Sequence, residues 1–144
     1  MARSYAQLDL DLQLCFPLYA ATRAVTRRYA ELLDDVGLTF PQYLTMLALW
    51  SSSPLTVGDL CERLRLDTGT LTPLLKRLEA AGHVVRRRDP ADERRVIVEL
   101  TDQGWGLRDQ VAHVPLDLLG SVDLSASEAT QLSKLLAKLL AGLD

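Results

Sequence analysis

Apolar residues recur at helical spacing along most of the chain, which predicts a mainly α-helical protein. The first such segment runs from Leu8 to Val36, and Pro17 lies inside it. Because a proline removes the hydrogen bond to the carbonyl four residues earlier, the helix must either kink there or begin near Phe16. Both options place Cys15 at a helix start or at a local break.

Short capping motifs predict where later helices begin. Thr39 and Gln42 form a T-x-x-Q capping box with a proline in the first turn. Thr56 is suited to cap a short helix that follows. Ser125 and Glu128 form an S-x-x-E box for the last helix.

The centre of the chain predicts a helix followed by a hairpin. A helix is expected over Asp67–Ala81, and β-prone runs follow at His83–Arg87 and Arg95–Leu100 with an arginine-rich Asp-Pro turn between them. With the short helix before it, this pattern is typical of a winged helix-turn-helix, which we assign to residues 39–101. The residues alone leave open an ordinary α/β corner with a solvated charged loop.

Apolar helices are predicted at both ends of the chain. The amino-terminal one is the Leu8–Val36 segment. At the carboxyl end, one helix runs from Thr101 to about Leu119 with a disturbance at Pro115, and a leucine-rich helix follows. Residues 1–36 and 102–144 are therefore interpreted as dimerisation helices of a two-fold homodimer. Such a dimer would read a pseudo-palindromic operator in double-stranded DNA. A monomer that buries these helices internally is the alternative.

Charge is distributed unevenly along the sequence. The net charge is −3, yet the stretch from Arg63 to Arg95 holds nine Lys/Arg against five Asp/Glu, which leaves seven against fourteen elsewhere. A basic region on an acidic body is suited to presenting one face to DNA. No apolar run is long enough for a signal peptide or a membrane span, so we expect a cytoplasmic protein without membrane contact.

Motifs for catalysis or cofactor binding are not found in the sequence. There is no metal-ligand cluster, Gly-rich phosphate loop or G-x-S-x-G motif, so we predict no metal, no cofactor and no enzymatic activity. The two cysteines, Cys15 and Cys61, are too few for a disulfide framework or a zinc site. Cys61 repeats the apolar spacing of its helix, which favours a packing role.

Residue types suited to DNA contact cluster in the winged region. Threonines at a helix start can reach base edges, and cations on the helix and hairpin can reach phosphates or the minor groove. The candidates are Thr68, Thr70, Thr72, Lys76, Arg77, Arg86, Arg87, Arg88, Arg94 and Arg95.

The motifs DTGTLTPLLKRLEAAG and RRRDPADERRVIVELT resemble those of the MarR family of winged-helix transcriptional regulators. The resemblance covers nearly the whole chain and implies a dimeric DNA-binding repressor. In that family a wing aspartate and the following arginine act as a unit, which implies that Asp92 orients Arg94 for the minor groove. The stretches LQLCFPLYAATRAVTRRYAELL and LTFPQYLTMLALW further resemble the organic hydroperoxide sensors of the OhrR type.

The OhrR resemblance implies a redox site near the amino end of the chain. Carried over by position, the sensing thiol is Cys15 and the hydroxyls that bond to it belong to Tyr19 and Tyr29, while a third family tyrosine is replaced by Phe40. Phe16 and other apolar neighbours could receive the tail of an organic hydroperoxide. Tyr29 lies fourteen residues after Cys15, about 21 Å along a helix, so it meets a thiol only on the partner subunit, as the family arrangement implies.

No cysteine follows Cys61, which favours a one-cysteine scheme. Cys15 would become a sulfenic acid and then a mixed disulfide with a low-molecular-weight thiol, or an over-oxidised form. Three other functions stay open. They are a regulator released by a small phenolic or aromatic ligand with Cys15 structural, a thiol peroxidase, and a purely structural dimer module.

Overall fold

A computed structural model of the protein describes residues 3–144. Within that range the chain forms seven α-helices and three short strands, in agreement with the predicted fold class. The helices are α1 Cys15–Leu32, α2 Phe40–Ser52, α3 Val57–Leu64, α4 Thr68–Ala80, α5 Asp102–Val111, α6 Val114–Gly120 and α7 Ala126–Leu143. The strands are β1 Leu55–Thr56, β2 Val84–Asp89 and β3 Asp92–Leu100. The chain divides into two compact units, the first ending at Ala112 and the second beginning at His113.

The first long helix begins later than the apolar pattern suggested. Residues 6–12 form two 3₁₀ turns, and α1 begins at Cys15, which agrees with the predicted start near Phe16 and not with a kinked helix. Pro17 is the third residue of α1, where the amide hydrogen that it lacks would have no partner within the helix. The helix ends at Leu32, and a 3₁₀ turn carries the chain to Gly37, whose φ is +69°.

The predicted caps are present. The Thr39 hydroxyl accepts from the Gln42 amide at 3.3 Å, and the Gln42 side chain accepts from the Thr39 amide at 2.9 Å. Thr56 makes the same reciprocal pair with Asp59 at the start of α3, and the Ser125 capping box opens α7. These local bonds satisfy amide groups that have no partner inside their helices.

The wing is a longer hairpin than predicted. β2 and β3 pair antiparallel from Val84 opposite Leu100 to Asp89 opposite Asp92, so the expected charged loop shrinks to a tight turn. The register shifts between Arg88 and Asp89. The two-residue strand β1 pairs with the other edge of β3 and gives the sheet order β1-β3-β2. Two residues carry no periodicity, which is why the sequence did not predict β1.

The helix predicted from Thr101 to about Leu119 is divided into two, and the break lies just before Pro115, where a disturbance was predicted. Thr101 does cap α5, with its hydroxyl accepting from the Gly104 amide at 3.0 Å. The helix ends at Val111, however, and α6 begins at Val114. Pro115 is placed in the first turn of α6, where a proline is tolerated.

The core of the first unit lies beneath the helix-turn-helix and the sheet. Tyr43, Met46 and Leu49 of α2 are almost completely buried. The remaining core residues from α3, α4, the sheet and α5 are Leu60, Leu71, Leu74, Leu75, Leu78, Val84, Val98, Leu100, Leu107 and Val111. This packing fixes α4 against the wing and sets the geometry of the surface described next.

Candidate DNA-binding surface and redox site

The start of α4 presents polar side chains from an ordered cap. The Asp67 carboxylate accepts from the Thr70 amide at 2.7 Å, and hydrogen bonds from the Thr70 side chain and backbone lower the pKa of Asp67. Thr68 and Thr70 are exposed, whereas Thr72 is half-buried. This is the end of the helix from which side chains reach base edges in helix-turn-helix proteins.

Two cations follow the threonines along the same helix. Lys76 and Arg77 are exposed, while the leucines on the opposite side of α4 are buried. Pro73 is also on the exposed side, and α4 continues through it. The surface of α4 therefore runs from hydroxyl groups at its start to positive charge further along.

Asp92 and Arg94 form a compact unit at the tip of the wing. One carboxylate oxygen of Asp92 accepts from both the Arg94 amide and the Arg94 Nε, each at 3.1 Å. The Arg94 Nη2 lies 3.4 Å from the second oxygen, and these bonds lower the pKa of Asp92. The Arg94 side chain is nevertheless 91% exposed, so it projects from the tip with its base held and its outer face free of packing.

A groove of about 380 Å³ lies between the wing and the starts of α3 and α4. Thr68 and Thr72 line one side, and Arg94 and Arg95 line the other. The candidates from helix and wing therefore face the same space, although they lie more than twenty positions apart in the sequence. Hydroxyls and guanidinium groups around one groove provide donors for both base edges and phosphates.

The other wing arginines are bound within the hairpin or to α4. Arg88 donates from Nη1 to the Glu93 carbonyl at 2.7 Å, and the Arg87 Nε lies 3.7 Å from Glu99. Arg86 differs from these two because it is held from outside the hairpin by Glu79 of α4. Sequence reasoning missed Glu79, because a carboxylate in the last turn of a helix looks like an ordinary surface residue.

The thiol of Cys15 is exposed at the first residue of α1. Leu14, at the cap position, makes no side-chain hydrogen bond to the helix, and the first turn holds no acidic residue. The neighbouring Leu12 and Phe16 are 70% and 45% exposed. The thiol therefore lies beside uncapped amide donors and accessible apolar side chains.

The two tyrosines assigned to the sensor lie in different surroundings. Tyr19, one turn after Cys15, is 62% exposed and lies beneath the Arg23 guanidinium, whose carbon is 5.5 Å from the ring centre. Tyr29 lies fourteen residues after Cys15, about 21 Å further along the same helix. Within one chain, α1 thus separates Tyr29 from the thiol.

Tyr29 is the centre of an aromatic cluster between α1 and α2. Its ring stacks on Phe40 with centroids 4.4 Å apart, and Tyr43 lies 5.5 Å away. Burial raises the pKa of Tyr29, and burial together with the nearby Tyr29 raises that of Tyr43. Phe40 thus contributes a ring rather than a hydroxyl, and Tyr43 of the same helix is the third member of the cluster.

Cys61 lies apart from Cys15, in the helix-turn-helix. It is half-buried on α3, and its sulfur is 3.8 Å from the Thr68 hydroxyl. Among residues 3–144, no three His, Cys, Asp or Glu side chains are grouped so that they could hold a metal ion. None of the described helices is both long and apolar enough to cross a membrane.

A helix-turn-helix whose second helix shares a groove with an arginine-bearing hairpin defines the class of winged helix-turn-helix proteins. The particular family follows from comparison with known proteins. The profile of the MarR family matches residues 36–95. The chain is 42% identical over 140 residues to the organic hydroperoxide resistance transcriptional regulator of Bacillus subtilis strain 168, covering 97% of this chain and 95% of the relative. The protein belongs to the MarR family of transcriptional regulators.

Two further relatives extend the comparison. The HTH-type transcriptional regulator TtmR of Methylorubrum extorquens strain PA1 is 48% identical over 131 residues, covering 91% of this chain and 67% of the relative. The structure of reduced AbfR bound to DNA matches with a TM-score of 0.80 and 36% identity, covering 95% and 96% of the two chains. AbfR comes from Staphylococcus epidermidis and is also known in a disulfide form, which matches with a TM-score of 0.66.

Proposed function

We propose that the protein is a homodimeric repressor that binds a pseudo-palindromic operator and releases it when an organic hydroperoxide oxidises Cys15. The observation that carries this proposal is an exposed thiol at the uncapped start of α1, in a chain 42% identical to an organic hydroperoxide resistance regulator. A DNA-bound relative of the same fold supports the DNA partner.

The homodimer is supported by apolar faces that one chain leaves uncovered. Neither α1 nor α7 contains a buried residue, although each is eighteen residues long. On α7, Leu132, Leu135 and Leu140 are 45%, 56% and 42% exposed. Water contact over so many leucines is costly, and a second copy of the chain is the partner that a two-fold operator requires.

The sensing step is a two-electron oxidation of the thiolate. The Cys15 sulfur attacks the distal peroxide oxygen, the O–O bond breaks, and the alkoxide takes a proton and leaves as an alcohol. The sulfur is oxidised to sulfenic acid while the hydroperoxide is reduced. A low-molecular-weight thiol can then condense with the sulfenic acid and release water, which leaves a mixed disulfide on Cys15.

The tyrosines would join the thiol to the dimer interface. Tyr19 is one turn from Cys15 on the same helix and can reach it locally. Tyr29 is too distant within its own chain, so in this proposal it faces the thiol of the partner subunit. Oxidation would then occur at the contact between subunits, where a small shift alters the spacing of the two DNA-binding surfaces.

The test compares DNA release by the wild type and by Cys15→Ser, with Cys61→Ser as the matched control. The probe is a duplex that the reduced wild type selects from a randomised pool, and the oxidant is cumene hydroperoxide. We expect the wild type and Cys61→Ser to lose affinity by at least about tenfold, and Cys15→Ser to stay bound. Mass spectrometry with added cysteine would find the mixed disulfide on Cys15.

Other outcomes would favour the alternatives. If Cys15→Ser and the wild type respond equally, Cys15 is not the sensor. If neither responds to hydroperoxide but both release DNA with a small phenolic ligand, the ligand-released regulator replaces this proposal. Many turnovers of hydroperoxide per subunit with a recycling thiol would instead indicate a peroxidase.

A further inference from the structure

The wing is attached to the rest of the winged region along both of its edges, at one level of the hairpin. On one edge, β1 pairs with β3, with Leu55 opposite Val98. On the other edge, Arg86 of β2 also lies opposite Val98, and its amide points outward to the Glu79 carboxylate at 2.9 Å. Because β2 is an edge strand, that amide would otherwise have no sheet partner.

The contact between Glu79 and Arg86 is bidentate and partly shielded from water. The second oxygen of Glu79 accepts from the Arg86 Nη2 at 3.0 Å, and the two side chains are 37% and 23% exposed. Hydrogen bonds from the Arg86 side chain and backbone lower the pKa of Glu79. One carboxylate therefore binds both the main chain and the side chain of the same wing residue. This restricts the rotation of the wing relative to α4 as well as the distance between them.

We propose that Glu79 is a positioning residue for DNA binding: it sets the angle between α4 and the wing, and thereby the place of Arg94. This inference rests on the proposed DNA-binding function and adds a residue to it. Arg86 also lines the groove, and in this assignment its contact with Glu79 holds the wing in place.

Geometry explains why one contact at the base of the wing matters at its tip. Arg94 lies four residues beyond Val98, about 13 Å along the strand. A rotation of about 10° at the level of Val98 would therefore move Arg94 by about 2 Å. A hydrogen bond to DNA does not tolerate such a shift, because its strength falls steeply outside a narrow range of distance and angle.

The sign of the change in DNA affinity distinguishes a positioning role of Glu79 from a purely electrostatic one. Glu79 is negative, so its removal next to a DNA-binding surface should by itself tighten binding to any duplex. A positioning role predicts the opposite for a selected sequence, since the loss of alignment with α4 weakens contacts that depend on sequence. Binding to a scrambled duplex should be unchanged or slightly tighter.

The experiment compares Glu79→Gln with Glu99→Gln in the reduced protein. Glu99 is a matched control because it also pairs with a wing arginine, Arg87, but joins the two wing strands and does not reach α4. The probes are a duplex that the wild type selects from a randomised pool and a scrambled version of it. We expect Glu79→Gln to weaken binding to the selected duplex by about tenfold, and Glu99→Gln by less than about twofold.

A double-mutant cycle with Arg94→Ala distinguishes positioning from loss of stability. Once Arg94 is gone, its position no longer matters, so Glu79→Gln should then weaken binding by less than about twofold. The salt dependence of Glu79→Gln should match that of the wild type, because no phosphate contact is removed. If Glu79→Gln does not fold, Arg86→Met breaks the side-chain half of the same contact and is measured in the same cycle.

The outcomes distinguish a failure of the positioning role from a failure of the proposed function. Equal losses with and without Arg94, or unchanged affinity of a folded Glu79→Gln, would overturn the positioning role and leave the proposed function intact. A wild type that selects no duplex at all would overturn the proposed function and this inference together.

Discussion

Helix α4 buries four leucines, whereas α1 and α7, which are both longer, bury no residue within a single chain. The winged region thus forms its caps, its sheet and its buried core within a single chain. The terminal helices carry comparable apolar content that faces outward. The difference shows that the winged region packs within one chain, and it supports the proposal that the terminal helices contact another copy.

The largest expected effect tests how tightly α5 packs against the winged region. At Gly104 in α5, an added Cβ would overlap the backbone carbonyl oxygen of His83, whereas at Gly106 in the same helix it would meet nothing within 4 Å. We expect Gly104→Ala to lower the free energy of unfolding by about 3 kcal/mol, because the backbone must shift. Gly106→Ala should raise it by up to about 1 kcal/mol, since alanine favours a helix.

Urea denaturation of the two variants measures this difference. Equal stabilities would show that the backbone around His83 can shift to accept the added methyl group at little cost in free energy. The winged region and the terminal helices would then differ in how much of their apolar surface is exposed, but not in how rigidly they are packed.

The next effect tests the terminal helices. Leu132→Glu should raise the dimer dissociation constant by about 100-fold or more, because a charge would be buried without a partner. Ala141→Glu is the matched control, since nine residues place it on the opposite side of the helix. Sedimentation velocity across a dilution series measures both variants, and a monomer that folds normally with Leu132→Glu is the expected product. A wild type that sediments as a monomer would contradict the proposed dimer.

A smaller effect concerns the tip of the wing. Arg94→Ala should weaken binding to the selected duplex by about tenfold, because this side chain is 91% exposed and aimed at the groove. Asp92→Asn should weaken it less, since Arg94 keeps its charge but loses part of its support. Arg87→Ala is the control because Arg87 pairs within the hairpin. Fluorescence anisotropy checks the order of the three variants, and equal losses would argue against a special role for Arg94.

The smallest effect is a pH dependence inside the winged region. His83 is 8% exposed, its Nδ1 has no hydrogen-bond partner among the described residues, and burial lowers its pKa from 6.5. Above about pH 7.5 the imidazole is almost entirely neutral in both states and adds little pH dependence. Below it, the unfolded chain takes up a proton that the folded chain resists, so stability falls by at most about 1.4 kcal/mol per pH unit.

Urea denaturation between about pH 7.5 and 5.5 tests this prediction while ordinary carboxylates are nearly all ionised. His83→Leu should remove the slope. A slope that persists in His83→Leu would assign the titration to another group.

Local signals predicted local structure well. The capping boxes at Thr39 and Ser125 and the cap at Thr56 are present, because such motifs act through neighbours three residues away. The start of α1 followed from the chemistry of Pro17. The break between α5 and α6 was predicted only as a disturbance at Pro115: this proline lacks the amide that would bond to the Val111 carbonyl, and α5 ends at Val111.

The sequence by itself determined the winged helix-turn-helix, its family and the identity of the thiol beside a helix start, because periodicity, caps and motifs are properties of neighbouring residues. Only the tertiary structure decided which side chains meet across the fold. It set Phe40 and Tyr43 against Tyr29, aimed Thr68 and Arg94 at one groove, and bound Arg86 to α4 through a carboxylate that looked ordinary in the sequence. The physical reason is that such contacts depend on how helices and strands pack, and no short stretch of sequence records the angle between them.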